Sequence, residues 1–201
     1  MTTADRNRAI LTGENPFIRL SENDGDPNKT DASFWRIIFS PAGMGHVLYL
    51  KSELTENRWR IYSDNIALAR WLQSTIQGMI NAETADAGIA VVDAEFAKSG
   101  DPRHFWTERV VSRDEAISLT WHQIGDPLLI HTQPNEVPGR RYGVCTVLIP
   151  ALGARLVRNG VQAAGRPWPR EREGRPFSTC ALAFSESWTE PRYAHAPAMG
   201  V

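Results

Sequence analysis

At 201 residues the chain has the length of one β-rich domain. Its 42% hydrophobic and 22% charged residues match a globular protein and exclude the disordered and fibrous classes. A net charge of −1 argues against general attraction to nucleic acid or anionic membrane.

Residues 1–33, with NDGDPNKTD near their end, read as a mobile N-terminal arm followed by turn chemistry. The domain is expected to span 34–193, with 194–201 as a flexible tail. FWRIIFS, HVLYLKS after the PAGMG turn, and RWRIYSD are rich in β-branched and aromatic residues and predict three antiparallel strands. Ile66, Ala69, Leu72, Ile76 and Met79 or Ile80 then recur at helical spacing. They predict a helix over 66–80, the one long helix of the chain, with Ser63 or Asp64 as its N-cap. IAVVDAEF, HFWTERVV, AISLTWHQ and PLLIHT return to strand character. GVCTVLIP is a further strand, and in ARLVRNGVQAA the pair Asn159-Gly160 supplies the positive φ of a two-residue hairpin turn. RPWPREREGRP reads as a loop and STCALAFSESW as a last strand.

About ten strands with one helix give no alternating βαβ pattern. The fold class is mainly β, a β-rich α+β domain, as an antiparallel β-barrel or a two-sheet sandwich. The strand count and length resemble those of lipocalin-like barrels. The chain departs from them in two respects: SFWR stands where that family has glycine-x-tryptophan, and the helix precedes the later strands.

Candidate chemistry centres on HFWTERVV and SLTWHQ. Pairing Val111 with Ile117 places Trp106 opposite His122 and Glu108 opposite Thr120, with Glu108 diagonal to His122. A face carrying His104, Trp106, Glu108, Thr120 and His122 has the makeup of a ligand pocket if it lines an interior, and of a wet surface if it does not. His122 is then the acid or base and Glu108 its orienting partner, because imidazole titrates near neutral pH and a carboxylate fixes its tautomer. Trp106 is the wall, and His131 is a further lining residue. Arg141, with Tyr142 beside it, or another loop arginine, holds a substrate carboxylate. Asp93 and Glu95, at i and i+2 on one strand face, form a second acid/base candidate. His46 and Tyr49 fall on opposite faces of HVLYLKS and are not expected to act together.

Other chemistries have less support. GxGxxG and GxxxxGK[ST] are absent, so no dinucleotide or nucleoside triphosphate cofactor is expected, and no GxSxG elbow marks a serine nucleophile; no cofactor is assigned. His46, His104, His122 and His131 with Glu108 could serve a cupin-like metal site, but no HxH or HxxxH spacing supports one, and no metal is assigned. Cys145 and Cys180 lack zinc-ribbon or thioredoxin-like spacing and read as buried reduced thiols. Eight arginines between 140 and 175, against two acids, form either an anion site or a solvated surface, and the surface is the commoner case. No apolar run reaches membrane-span length and MTTADRNRAILTGENPF has no secretory apolar block, so the expected location is the cytoplasm. The expected partner is a small organic ligand, with neither nucleic acid nor membrane. The reading is a cofactor-free lyase, hydratase or isomerase; the alternatives are a non-catalytic binding protein, or a homodimer or larger assembly in which a second copy covers the His104–Trp106–His122 face.

Overall fold

The computed structural model describes residues 8–191. The expected tail at 194–201 lies outside them, as do residues 1–7 of the expected arm. The rest of that arm belongs to the sheet: β1 (Arg8–Glu14) and β2 (Phe17–Leu20) bury Leu11, Ile18 and Leu20. The polar stretch that suggests an arm is only the turn between β2 and β3 (Thr30–Phe39).

The antiparallel succession of β3, β4 (Gly45–Lys51) and β5 (Arg60–Ser63) agrees with the sequence reading. Both faces of these strands are buried, which explains their nearly continuous apolar runs. Phe34, Leu48 and Tyr62 face one core, and Trp35, Tyr49 and Ile61 face another beneath the helical segment. That segment runs through α1 (Ile66–Leu72), a π-helical turn (Gln73–Gln77) and α2 (Gly78–Ile80). Asn65, one residue beyond the two expected caps, is its N-cap, accepting from the Leu68 N–H at 3.1 Å. The buried stripe is Leu68, Ala69, Leu72 and Ile76, while Ile66 is exposed.

The chain continues through β6 (Val91–Asp93), β7 (Glu95–Asp101), β8 (Phe105–Val111), β9 (Ala116–Ile124), β10 (Leu128–Thr132) and β11 (Gly143–Arg158). Beyond β11 come β12 (Val161–Gln162), β13 (Pro169–Arg172), β14 (Arg175–Ser178) and β15 (Ala181–Glu190). Asn159 and Gly160, at φ 50° and 80°, make the predicted turn between β11 and β12. RPWPREREGRP, expected as a loop, forms the β13–β14 hairpin, because Glu173 and Gly174 both adopt positive φ.

Among the described residues thirteen strands form one mixed sheet, β6-β5-β4-β3-β1-β15-β11-β9-β8-β7 along its main path, with the β5–β6 pair parallel. Its two ends, β6 and β7, are separated in sequence only by the buried Ala94. The sheet therefore curls over a common core that joins Phe34, Leu48 and Tyr62 to Val110, Leu119, Trp121 and Leu182. At one end of that core Glu115, in the β8–β9 turn, accepts from Tyr62, Arg60 and Arg158. Burial pushes the Glu115 carboxyl up, but the hydrogen bonds from Arg158 and Tyr62 outweigh it and hold the group below its ordinary range. No helix among the described residues is long and apolar enough to cross a membrane.

Candidate functional site

The β8–β9 hairpin has a different register from the expected one. Ser112 donates to the Glu115 carbonyl at 2.9 Å, so the connection has a two-residue tip, Arg113-Asp114, and Val111 pairs with Ala116. This one-residue slip exchanges the faces of β9 relative to β8. Trp106, Glu108 and Val110 now share the inner face with Trp121, Leu119 and Ile117. Thr120 and His122 lie on the outer face, where Thr120 bonds Thr107 at 3.0 Å. The His122 ring lies over Gly153, so close that a β-carbon there would overlap it.

The structure therefore does not bring His122 to Glu108. His104 is exposed in the β7–β8 turn, and His131 is exposed on β10 with Gln133 beside it at 3.3 Å. Arg141 stacks over Tyr142 at 5.4 Å and reaches Glu190 at 3.8 Å, apart from the Glu108 cluster. The arginine-rich stretch is dispersed: Arg158 serves Glu115, Arg170 pairs with Asp24, and Arg166 covers Trp168. Cys180 is buried and free, with its thiol pushed up to about 12 by burial, and Cys145 is free and half-buried.

Glu108 and Trp106 instead meet a different set of groups. Glu14, Arg36 and His46 are neighbours across β1, β3 and β4. Arg36 shares the inward face of β3 with Phe34, and its guanidinium crosses the interior to β8. One terminal nitrogen donates to both Glu108 oxygens at 2.8 Å, the other pairs with Glu14, and Nε donates to His46 Nε2 at 3.2 Å. The Trp106 indole N–H donates to Glu108 at 2.8 Å. Burial pushes the Glu108 carboxyl above its ordinary range, with the Arg36 charge and the Trp106 and Arg36 hydrogen bonds pulling it back.

His46 is held on every side. Because Nε2 accepts from Arg36, Nδ1 carries the proton and donates to Asp64 Oδ2 at 2.6 Å, while the His46 backbone N–H donates to Oδ1 at 2.7 Å. The ring stacks on Phe96 with centroids 5.0 Å apart. Asp64 reaches this position because the antiparallel β4–β5 register, Val47 with Ser63, sets residue 46 opposite residue 64. Ser63 is occupied elsewhere, its hydroxyl donating to the carbonyls of His46 and Asn65. Gly45, at φ 149°, leaves the required space: a β-carbon there would come within 2.6 Å of Asp64 Oδ1. Gly45→Ala is expected to push Asp64 away from His46 and to cost on the order of 1–3 kcal/mol of unfolding free energy, measured by denaturant titration.

These groups border an open cleft of two adjoining depressions, about 710 and about 800 Å³. Asp64 and Asp93 line both. One lobe adds Glu95, Phe96, Val111 and Arg113; the other adds Arg36, His46 and the apolar Ile38, Met44 and Ile66. Asp93 and Glu95, the second expected acid/base pair, thus lie at the cleft on either side of Ala94. Arg113 is an exposed guanidinium on the hairpin tip. Among the described residues no group of three histidine, cysteine or carboxylate side chains is arranged to hold a metal ion.

The association of His46 with Asp64 and Arg36 is not legible in the sequence, where His46 stands only among the metal-ligand candidates and Asp64 only as a candidate N-cap. His46 and Tyr49, expected on opposite faces, do lie apart: Tyr49 turns away, donating to the Ala69 carbonyl at 2.9 Å. The informative signal is the β4–β5 pairing, which juxtaposes 46 and 64 once its register is known. Comparison with family models, curated proteins and solved structures returns no match to this chain.

Proposed function

We propose that the protein binds a small carboxylated organic compound in this cleft and moves a proton on it without a cofactor, as a lyase, hydratase or isomerase. The observation that carries the reading is the placement of Asp64: it borders both lobes while two N–H groups of His46 grip its two oxygens. A carboxylate fixed in this way keeps its remaining lone pairs directed at whatever occupies the cleft, which is the geometric requirement for a general base. His46 is the positioning residue; its tautomer is set by Arg36, and Arg36 is set by Glu14 and Glu108. The substrate carboxylate takes Arg113, whose planar fork suits it, and the apolar body lies against Ile38, Met44 and Ile66.

The test is a calorimetric and turnover screen of small hydroxy and unsaturated carboxylic acids against the native chain, Asp64→Asn and Arg113→Met. Asp64→Asn is expected to retain binding while turnover falls by roughly 10²–10⁴-fold. Arg113→Met is expected to weaken binding of every acid by at least about tenfold, the loss of one charge-assisted contact. Binding that is unchanged in both variants would remove the cleft from consideration. Binding to the native chain without turnover would favour the non-catalytic alternative.

A further inference from the structure

A second polar cluster lies on the opposite side of β3, under the helical segment. Glu186 on β15 is 4% exposed. It is turned inward by a β-bulge: Cys145 pairs with Ser187 and Val147 with Phe184, and the intervening Ser185 adopts φ 57°. The Trp188 indole N–H donates to Glu186 Oε1 at 2.6 Å, and the Asn15 side chain faces the same carboxyl. The Thr146 hydroxyl, buried and without a partner at hydrogen-bonding geometry, lies beside it.

From Asn15 the contacts continue to the helical segment. The Ser33 hydroxyl lies 3.0 Å from Asn15 Oδ1 and 3.1 Å from Gln77 Oε1, and Gln77 Oε1 also accepts from the Trp35 indole at 2.8 Å. Trp35 and Trp188 then meet with ring centroids 6.4 Å apart, closing the circuit. Gln77 ends the π-helical turn, an irregularity that aims its side chain at this circuit.

We propose that Glu186, with Asn15, Ser33 and Gln77, forms a proton-operated clasp holding the π-helical turn against β3 and β15. Among the described residues no charged group faces Glu186 to compensate its ionisation. On the elements packed around it, Glu14 and Arg36 pair on the other face of the sheet, Glu190 pairs with Arg8 and Arg141, and Arg70 bonds Gln73. Asp31 on β3 pairs with Arg19, Arg158 on β11 serves Glu115, and Arg155, facing Thr120, lies on the same second half of that strand. Cys145 precedes Thr146 on β11 and by strand alternation points to the opposite face; of the tyrosines in the same apolar layer, Tyr49 donates its hydroxyl to the Ala69 carbonyl and Tyr142 lies under Arg141. Burial pushes the Glu186 carboxyl up to about 7, with Trp188, Thr146 and Asn15 pulling the other way. As a neutral acid it both accepts from the indole and sits unopposed in the apolar layer; as an anion it needs water, which enters only if the helical turn lifts.

Amide exchange of residues 68–80 tests this, read as protection relative to an unstructured chain at about pH 6 and about pH 8.5. Protection in the native chain is expected to fall at least about tenfold over that interval, one coupled proton being released, and to stay level in Glu186→Gln. A native chain with level protection, or a Glu186→Gln variant with the native fall, would overturn the clasp. Should Glu186→Gln fail to fold, Gln77→Met takes its place. Cutting the far end of the circuit is expected to leave protection low and level at both pH values, and the native fall in that variant would equally reject the proposal.

Discussion

Arg36→Met is expected to destabilise the fold by about 3–5 kcal/mol, the range for removing one partner of a buried ion pair. Arg36 is the cation shared by Glu14 and by the fully buried Glu108, so its loss leaves two carboxylates facing each other across the interior. Methionine fills most of the volume of the arginine stem, which confines the defect to charge and hydrogen bonds. For a domain of this size the melting temperature should fall by roughly 10 °C. The penalty has a signature that a packing defect lacks. Glu108 already sits above the ordinary carboxylate range, and without Arg36 it escapes by taking a proton. The deficit should therefore shrink as the pH is lowered. Adding Glu108→Gln to the variant should recover more than half of the loss near neutral pH. A loss independent of pH, or no recovery in the double variant, would show that Arg36 acts through packing alone.

The contrast between what the sequence reveals and what it conceals follows from how strand registers are specified. The three strands of β3–β5, the helical segment and the Asn159-Gly160 turn are legible because each rests on a local pattern: apolar runs, a 3.6-residue period, a dipeptide suited to positive φ. Trp106 and Glu108 are also legible as neighbours, being two residues apart on one strand and joined by a hydrogen bond. Their partner is another matter. In the β8–β9 hairpin a connection one residue shorter moves His122 from the inner to the outer face, and the apolar residues of the two strands tolerate either register. Arg36 meets Glu108 only because distant strands of a curled sheet face each other, a relation with no trace in sequence spacing. β1 and β2 are missed for a related reason. They are short, β2 having only four residues, and only docking between β15 and β3 makes strands of them.

The stability of the native chain is expected to be greatest at mildly acidic pH and to decline toward pH 8, an unusual direction that Glu186 dictates. Its carboxyl is raised from an ordinary 4.5 to about 7 in the folded chain. Between those values the folded state holds a proton that the unfolded state has released, so unfolding free energy falls as pH rises. Below the lower value both states are protonated and the contribution is fully present; above the upper one it is gone. The shift corresponds to about 3 kcal/mol across the window. Glu108, also raised, adds to the decline in the same direction. Glu115 works oppositely: its carboxyl is held low by Arg158 and Tyr62, so its stabilisation is present above the ordinary carboxylate range and is lost as the solution is acidified through it. These opposed limbs produce a maximum rather than a monotonic slope. In Glu186→Gln, where an amide keeps an acceptor for the Trp188 indole and carries no charge, most of the descending limb should vanish. Denaturant midpoints from about pH 4.5 to about pH 8 would measure it, with the variant overtaking the native chain toward the alkaline end. If the two curves stay parallel throughout, Glu186 titrates alike in the folded and unfolded chain, and the neutral-acid assignment is wrong.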